Sequence, residues 1–183
     1  MDFDFNEEEQ AIADLTQQIL DDKVTHELLR GFTKADVHVD RVVWDTLAEA
    51  GIVGAALPEP WGGAGLGFLA VTAAIEQIGS HAALAPLMET VVMAGLPIAE
   101  FGTDDQRCDL LPRIADGSLL ATGAFVRGPG VRVVDNALTG AVAAVPLGLE
   151  ANLLLVPTDA GVHLIGGGDQ AWRPDRRTRI PLR

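Results

Sequence analysis

The sequence has 183 residues, of which 48% are hydrophobic and 21% charged, so it has enough apolar residues to build a buried core. It carries 13 basic against 26 acidic residues, a formal net charge of −13. This balance argues against a nucleic-acid-binding protein, which presents a basic face to phosphates, and it gives no attraction to anionic lipids.

Cysteine usage and hydropathy point to a cytoplasmic protein. Cys108 is the single cysteine, so no disulfide can form within the chain. The amino terminus shows neither the basic stretch nor the apolar stretch that is typical of a secretion signal. The apolar runs elsewhere are shorter than the roughly 20 residues that a membrane span needs. No metal site is predicted, because Cys108 has no nearby partner and the four histidines share no metal-binding spacing.

Helical periodicity dominates the first 118 residues. Asn6, Asp40 and Thr103 are N-cap candidates, and both Asn6 and Thr103 are followed three residues later by Glu or Gln, the pattern of a capping box. Gly31 is expected to end the first helix, and Pro97 to bend the fourth. The third helix is apolar almost all round and is predicted to be buried. A bundle of five or six helices is predicted, and the sequence locates five of them, over residues 6–30, 40–51, 68–78, 84–101 and 103–117.

The composition changes at Leu119, where short runs rich in Val, Leu, Gly and Thr begin. Helices that precede strands along the chain indicate an α+β fold. The prediction is an N-terminal all-helical bundle over 1–118, followed by an antiparallel β-domain over 119–183. Strands are predicted over residues 120–126, 131–138, 141–145, 153–156 and 162–165.

A glycine-rich loop lies between the second and third helices, reading Leu-Pro-Glu-Pro-Trp-Gly-Gly-Ala-Gly-Leu-Gly over 57–67. Such loops can cradle phosphate. This one lacks the Lys-Ser/Thr of a P-loop and the strand–loop–helix setting of a dinucleotide fold. Taken alone, it predicts a structural connector between helices.

The loop resembles the proline–acid–aromatic–Gly-Gly-x-Gly-x-Gly segment of acyl-CoA dehydrogenases, and Ala-Ile-Glu-Gln-Ile-Gly over 74–79 follows at the family's distance. Phe-Gly-Thr-Asp-Asp-Gln over 101–106 and Leu-Pro-Arg-Ile-Ala-Asp-Gly over 111–117 resemble a later stretch of the same family. Asp-Arg-Arg-Thr-Arg over 175–179 resembles a segment late in its β-domain. The pieces occur in family order across residues 3–120, which makes the resemblance specific.

The resemblance implies a fold in three parts: a helical domain, a middle β-domain and a C-terminal helical bundle. Members of the family abstract an α-proton from an acyl-CoA and pass a hydride from the β-carbon to FAD. This chain corresponds to the first part and much of the second. The bundle, which usually carries the catalytic Glu, is expected to be absent, so no catalytic residue is named and the chain alone is predicted to be inactive.

The resemblance also places Glu89, Val92 and Met93 on the helix that lines the acyl cavity, which makes them candidate substrate-binding residues. A carboxylate in an apolar helix is costly to bury without a partner. Glu76 and Glu89 both lie in such helices. The alternative interpretation of each is a partly exposed or ion-paired side chain without a role in binding.

The segments that contact flavin in the family differ here. In place of Thr-Glu-Pro-x-x-Gly-Ser-Asp the chain reads Phe125-Val126-Arg127-Gly-Pro-Gly, with Val126 at the position of the Thr. Any FAD contact is expected at these three named residues. Further on, Ala144 replaces an aromatic residue and Pro146 a hydroxyl residue, and proline has no N–H to donate.

Three functions remain open. In the preferred hypothesis the chain is a non-catalytic subunit that completes a related, active acyl-CoA dehydrogenase, as in actinobacterial enzymes that pair two unlike subunits and act on bulky CoA thioesters such as steroid side chains. In the second, it belongs to a working FAD enzyme with an unusual flavin site. In the third, it is an interaction module without enzymatic chemistry. The first two imply a homo- or hetero-oligomer, with an acyl-CoA as the substrate of the assembly.

Overall fold

The computed structural model describes residues 5–125, 131–134 and 137–166. The chain divides into two compact units, Met1–Ser118 and Leu119–Arg183. The first is helical and the second contains all the described strands. The α+β class predicted from the sequence is therefore confirmed. No helix in the described ranges is long and apolar enough to cross a membrane.

The helical unit is built from well-capped elements. Asn6 and Glu9 form both bonds of a capping box, and Thr103 forms another with Gln106. The Asp40 carboxylate accepts from the backbone N–H groups of two residues in the first turn of its helix. The predicted helix starts at these three N-caps are confirmed. The described α-helices are α1 Glu7–Lys23, α2 His26–Ala35, α3 Arg41–Glu49, α4 Gly67–Ser80, α5 Leu96–Phe101 and α6 Asp104–Ala115.

The single helix predicted over 6–30 is wrong, because the chain forms two. Val24 is extended, and the Thr25 hydroxyl accepts from the backbone N–H of Leu28 at 3.2 Å, so a new helix begins there. Gly31 does not end a helix but lies inside α2. The chain turns instead at Asp36, which adopts a left-handed conformation with φ 55°.

The helix predicted over 84–101 also differs from the structure. It contains a π-helix over Met88–Gly95, followed by α5. Leu96 donates its N–H to the carbonyl of Val91, five residues earlier. Pro97 follows directly and has no N–H, which removes one bond of the regular ladder at the point where the wider π turn gives way to α-helix.

Within the helical unit α1 packs against α4 and α3, and Leu57 and Ile114 pack beside Gly95 of the π-helix. The fully buried side chains of this unit include those of Trp44, Leu47, Ile52, Leu57 and Ile114. The prediction that the third helix is buried all round is wrong, because α4 buries only one face.

The β unit contains a three-stranded sheet and a hairpin. The strands are β1 Ala121–Gly123, β2 Val131–Val134, β3 Ala137–Gly140, β4 Leu153–Thr158 and β5 Gly161–Gly166. The sheet order is β1-β4-β5, with β4 and β5 antiparallel, and β2 and β3 form the antiparallel hairpin. The pairing of β1 with β4 is parallel, because a long connection through the hairpin brings the chain back in the same direction.

Two predicted strands need correction. The run over 131–138 is split between β2 and β3. Residues 141–145 form no strand and lead into a turn over 146–150. Val142 from this stretch instead helps to fill the core of the β unit, and Val145 packs against that core. The core consists of Ala124, Val131, Val142, Ala151, Leu154, Val156 and Ile165.

Candidate functional site

The glycine-rich loop is closed on itself. A Cβ on Gly63 would lie 1.9 Å from the carbonyl oxygen of Leu57, so only glycine fits there. The N–H of Gly65 donates to that same carbonyl at 2.8 Å, and the N–H groups of Gly63, Ala64 and Leu66 donate to other backbone carbonyls. Because these amides are already paired, they cannot cradle a phosphate. The loop is a connector, as its sequence predicts.

Arg107 ties this loop to the helices beside it, a role that the sequence analysis missed. Its guanidinium lies 5.6 Å from the centre of the Trp61 ring. Its Nε and Nη2 donate to the carbonyls of Ala99 and Glu100 near the end of α5, at 2.9 and 3.0 Å. Its Nη1 lies 3.0 Å from the carboxylate of Asp104. The only sequence signal was its place after Gln106 in the family motif.

The predicted substrate-binding residues share the π-helix. Glu89, Val92 and Met93 are all half-buried, so each keeps some accessible surface. A Cβ on Gly95 would lie 3.1 Å from Leu57 Cδ2, which shows how closely the helix packs on the loop. Rare π turns are frequent at functional sites. By contrast, Glu76 is exposed, which fits its interpretation as a solvated carboxylate.

Two buried hydroxyls lack partners and could not have been found from sequence. Within the described ranges, Thr90 Oγ1 in the π-helix and Thr122 Oγ1 in β1 make no hydrogen bond. Both residues are fully buried. An unpaired buried hydroxyl costs roughly 1–3 kcal/mol, so both positions are predicted to tolerate or prefer an apolar side chain of the same shape.

Phe125 is the one predicted flavin-site residue that the structure describes. Its ring folds back over the end of β1. The ring lies so close to Gly123 that a Cβ on that glycine would be 2.2 Å from Phe125 Cε2. The side chain is 45% exposed. Val126 and Arg127 lie outside the described residues, as does the Asp175–Arg179 segment.

The segment over 141–151 does not fit a flavin ring. It contains no hydroxyl and no aromatic side chain. Val142 is part of the β core, and Val145 and Leu147 pack against it, so these three side chains point inward. Ala144 and Leu147 have positive φ values of 54° and 55°, and Pro146 between them offers no N–H. These residues supply none of the ring contacts that the family pattern would provide.

His81 joins the carboxyl ends of two packed helices. Its Nε2 lies 3.0 Å from Asp21 Oδ1 on α1, and its Nδ1 lies 2.8 Å from the carbonyl of Gln77 on α4. The hydrogen bond to Asp21, followed by that to Gln77, raises the pKa of His81 above its usual value. In the part of the chain that is described, no group of three or more His, Cys, Asp or Glu residues could hold a metal ion.

Comparison with known proteins gives this geometry a context. Acyl-CoA dehydrogenase FadE27 of Mycobacterium tuberculosis is 33% identical over 180 residues, covering 92% of this chain and 48% of that protein. The ChsE4–ChsE5 complex from the same species matches with a TM-score of 0.86 and 28% identity, over 100% of this chain and 59% of that chain. The Tcur3481–Tcur3483 steroid ACAD variant matches with a TM-score of 0.82 and 35% identity, over 96% and 54%.

The chain thus spans about half the length of the curated relatives it matches. The family model "Acyl-CoA dehydrogenase, N-terminal domain" covers residues 6–118, which include the glycine-rich loop, the Arg107 contacts and the π-helix. The chain belongs to the acyl-CoA dehydrogenase family.

Proposed function

We propose that this chain is part of an FAD-dependent oxidoreductase that introduces an α,β double bond into an acyl-CoA thioester, and that it is the non-catalytic partner of a related subunit. One observation carries the proposal. The segment over 141–151 has no hydroxyl or aromatic side chain to meet a flavin, and four of its apolar residues, Val142, Val145, Leu147 and Ala151, belong to the β core or pack against it.

The energetic consequence can be approximated from the changed residues. Each hydrogen bond lost to a buried ligand costs on the order of 0.5–1.5 kcal/mol, and a ligand atom left unsatisfied costs roughly 1–3 kcal/mol. Loss of an aromatic wall removes about 1 kcal/mol more. With Val126, Ala144 and Pro146 all changed, FAD affinity is expected to be lower by about two to four orders of magnitude than in a family member with the full pattern.

The comparisons support an assembly of unlike chains. Two of the similar structures carry paired names, ChsE4–ChsE5 and Tcur3481–Tcur3483, and the second is described as a steroid ACAD. By extension, the assembly proposed here acts on a bulky CoA thioester such as a steroid side chain. Glu89, Val92 and Met93 are then expected to contact the acyl group, since all three are half-buried on the π-helix.

The decisive measurement is a titration of the purified chain with FAD, followed by flavin fluorescence or calorimetry. Weak or undetectable binding is expected. The double variant Val126→Thr and Pro146→Thr restores two family hydroxyls and should bind FAD at least tenfold more tightly. Leu149→Thr is the matched control, because it adds a hydroxyl at a partly exposed position in the same turn and should change nothing.

Nanomolar affinity of the unmodified chain for FAD would contradict the partner-subunit proposal. The chain would then be part of a catalytically active, FAD-binding acyl-CoA dehydrogenase, with backbone N–H groups around Phe125 and Arg127 as the contacts to examine. A double variant that binds no better than Leu149→Thr would show that the lost hydroxyls are not the cause of weak binding.

A further inference from the structure

The ring of His81 bridges the end of α1 and the end of α4. Its Nε2 lies 3.0 Å from the Asp21 carboxylate in the last turn of α1, and its Nδ1 lies 2.8 Å from the carbonyl of Gln77 on α4. Nδ1 also lies 3.0 Å from the Ser80 hydroxyl, which donates its own proton to the Gln77 carbonyl at 2.8 Å. Both ring nitrogens therefore face acceptors. We call this set of contacts the His81 bridge.

The His81 bridge fits only the doubly protonated, cationic ring. A carboxylate and a carbonyl have no proton to give, so each ring nitrogen must carry its own. The resulting positive charge lies between the Asp21 carboxylate and the carboxyl end of α4, and both of these favour a cation. A neutral ring has a single N–H, so it must give up one of the two contacts.

Asp21 is the charged group that acts on this ring. The hydrogen bond to Asp21 is the main cause of the raised pKa of His81, and in the described part of the chain no other charged side chain contributes to it. Asp22 and Lys23, in the same turn of α1, pair with each other at 3.0 Å. Glu76 on α4 is exposed, and the α4 residues beside the ring are uncharged. The His81 side chain is 20% exposed, so it can exchange its protons with solvent.

The α4 side of the bridge is firmly closed. Ala82 adopts a left-handed conformation with φ 51°. The N–H groups of Ala82 and Ala83 donate to the carbonyls of Gly79 and Ile78 at 3.1 and 3.0 Å, which completes the last turn of the helix. The contact of the His81 ring with Gln77 lies within this same turn, so it does not depend on α1.

The α1 side is held less firmly. Leu20 is fully buried, but Asp21 is 61% exposed and Val24 leaves the helix in an extended conformation. The next helix, α2, buries none of its residues, and no other described element packs closely against it. Segments with few buried contacts are the first to open locally. The end of α1 is therefore the side that moves when the bridge is broken.

We infer that the His81 bridge is a proton-operated latch. With both ring nitrogens protonated, it holds the last turn of α1 against α4. When the ring loses a proton it keeps the local contact with Gln77 and releases Asp21, so the last turn of α1 and the attached α2 open together. Every contact of the latch is made within the helical unit, so the inference does not depend on the proposed function or on FAD.

The test follows the full 183-residue chain by NMR. The ¹⁵N shifts of the His81 ring report which nitrogens carry protons, and both should be protonated at about pH 6. Hydrogen exchange of the Val24 amide, which donates to the Leu20 carbonyl at 2.8 Å, reports opening of the last turn. After correction for intrinsic exchange, its protection should fall about threefold between about pH 6 and 8.5. The Leu111 amide in α6 should keep its protection.

Variants connect the opening to the ring. His81→Gln never carries a charge, so protection of the Val24 amide should no longer depend on pH. Asp21→Asn keeps an acceptor oxygen without the charge and should move the midpoint of the change to lower pH. His26→Gln is the matched control, because it removes the exposed histidine at the start of α2 and should behave as the original chain does. Circular dichroism checks that each variant is folded.

Three results would overturn the inference. A ring that carries only one proton at about pH 6 would show that the bridge does not hold the cation. Protection of the Val24 amide that stays constant with pH, or that falls equally in His81→Gln, would separate the opening from His81. An equal fall at Leu111 would show that the whole helical unit loosens instead of one end of α1.

Discussion

The helical unit and the β unit retain the family pattern in different ways. In the helical unit the matching residues close the backbone: Thr103 caps a helix, and Gly63 allows the loop to fold against Leu57. In the β unit the strands and their core form, while Ala144 and Pro146 occupy positions where the family resemblance expects side chains that contact a flavin. Under the proposed function, the comparison teaches that residues which build a fold and residues which hold a ligand can be lost independently.

The strongest test of the helical unit is Trp44→Ala. Trp44 is fully buried, and its Nε1–H donates to the carbonyl of Gly117 at 2.8 Å. The substitution should lower the free energy of unfolding by about 3–5 kcal/mol in urea denaturation. Trp44→Phe keeps most of the volume, loses the hydrogen bond and should cost about 1–3 kcal/mol. If both variants cost the same, the size of the buried ring is not the main contribution.

The helix cap at Asp40 should matter less, but measurably. Asp40 is buried and accepts from the N–H groups of Val42 and Val43 at 3.0 and 3.2 Å. Asp40→Ala should lower the free energy of unfolding by about 0.5–2 kcal/mol. Asp40→Asn retains an acceptor oxygen and should cost only a fraction of that. If Asp40→Asn lowers the free energy of unfolding as much as Asp40→Ala does, the effect comes from the charge and not from the cap.

The unpaired hydroxyl of β1 allows an equivalent test in the β unit. Thr122→Val removes a buried hydroxyl that has no partner and should leave stability unchanged or raise it by up to about 1 kcal/mol. Thr16→Val is the control in the helical unit, because its buried hydroxyl donates to the carbonyl of Ile12 at 2.6 Å, and it should cost about 0.5–1.5 kcal/mol. Destabilisation by Thr122→Val would show that this hydroxyl is bound in solution.

The smallest expected effect is a pH dependence at His81. The pKa of His81 is raised in the folded chain. Its contribution to the free energy of unfolding is therefore fully present below the unfolded-state pKa of about 6.5, and it is lost as pH rises through the folded-state pKa. Because Asp21 is largely exposed, the contribution should stay below about 1 kcal/mol. Melting temperatures measured from about pH 6 to 8.5 should decline less steeply in His81→Gln. An unchanged slope would place the titrating group elsewhere.

Several features of the fold and the candidate site were predictable because their signals are local. The capping boxes and the Asp40 cap each depend on residues within three positions of one another. The glycine-rich loop was recognisable as a connector from its own prolines and glycines, and the motifs that identify the family are equally local. The switch from helical to strand patterns near residue 119 indicated the α+β class for the same reason. Ala144 and Pro146 could be recognised as departures because their neighbours keep the spacing of the family.

The remaining features depend on contacts between distant parts of the chain. His81 meets Asp21 across 60 residues, and Trp44 meets Gly117 across 73. The exposed side of α4 could not be seen in its sequence, because apolar residues lie on all sides and the packing of α1 and the π-helix decides which side is covered. The parallel pairing of β1 with β4 likewise depends on where the connecting chain returns. Sequence determined most of the local conformations and the family of this protein, and tertiary packing decided which of its faces are buried and which stay exposed.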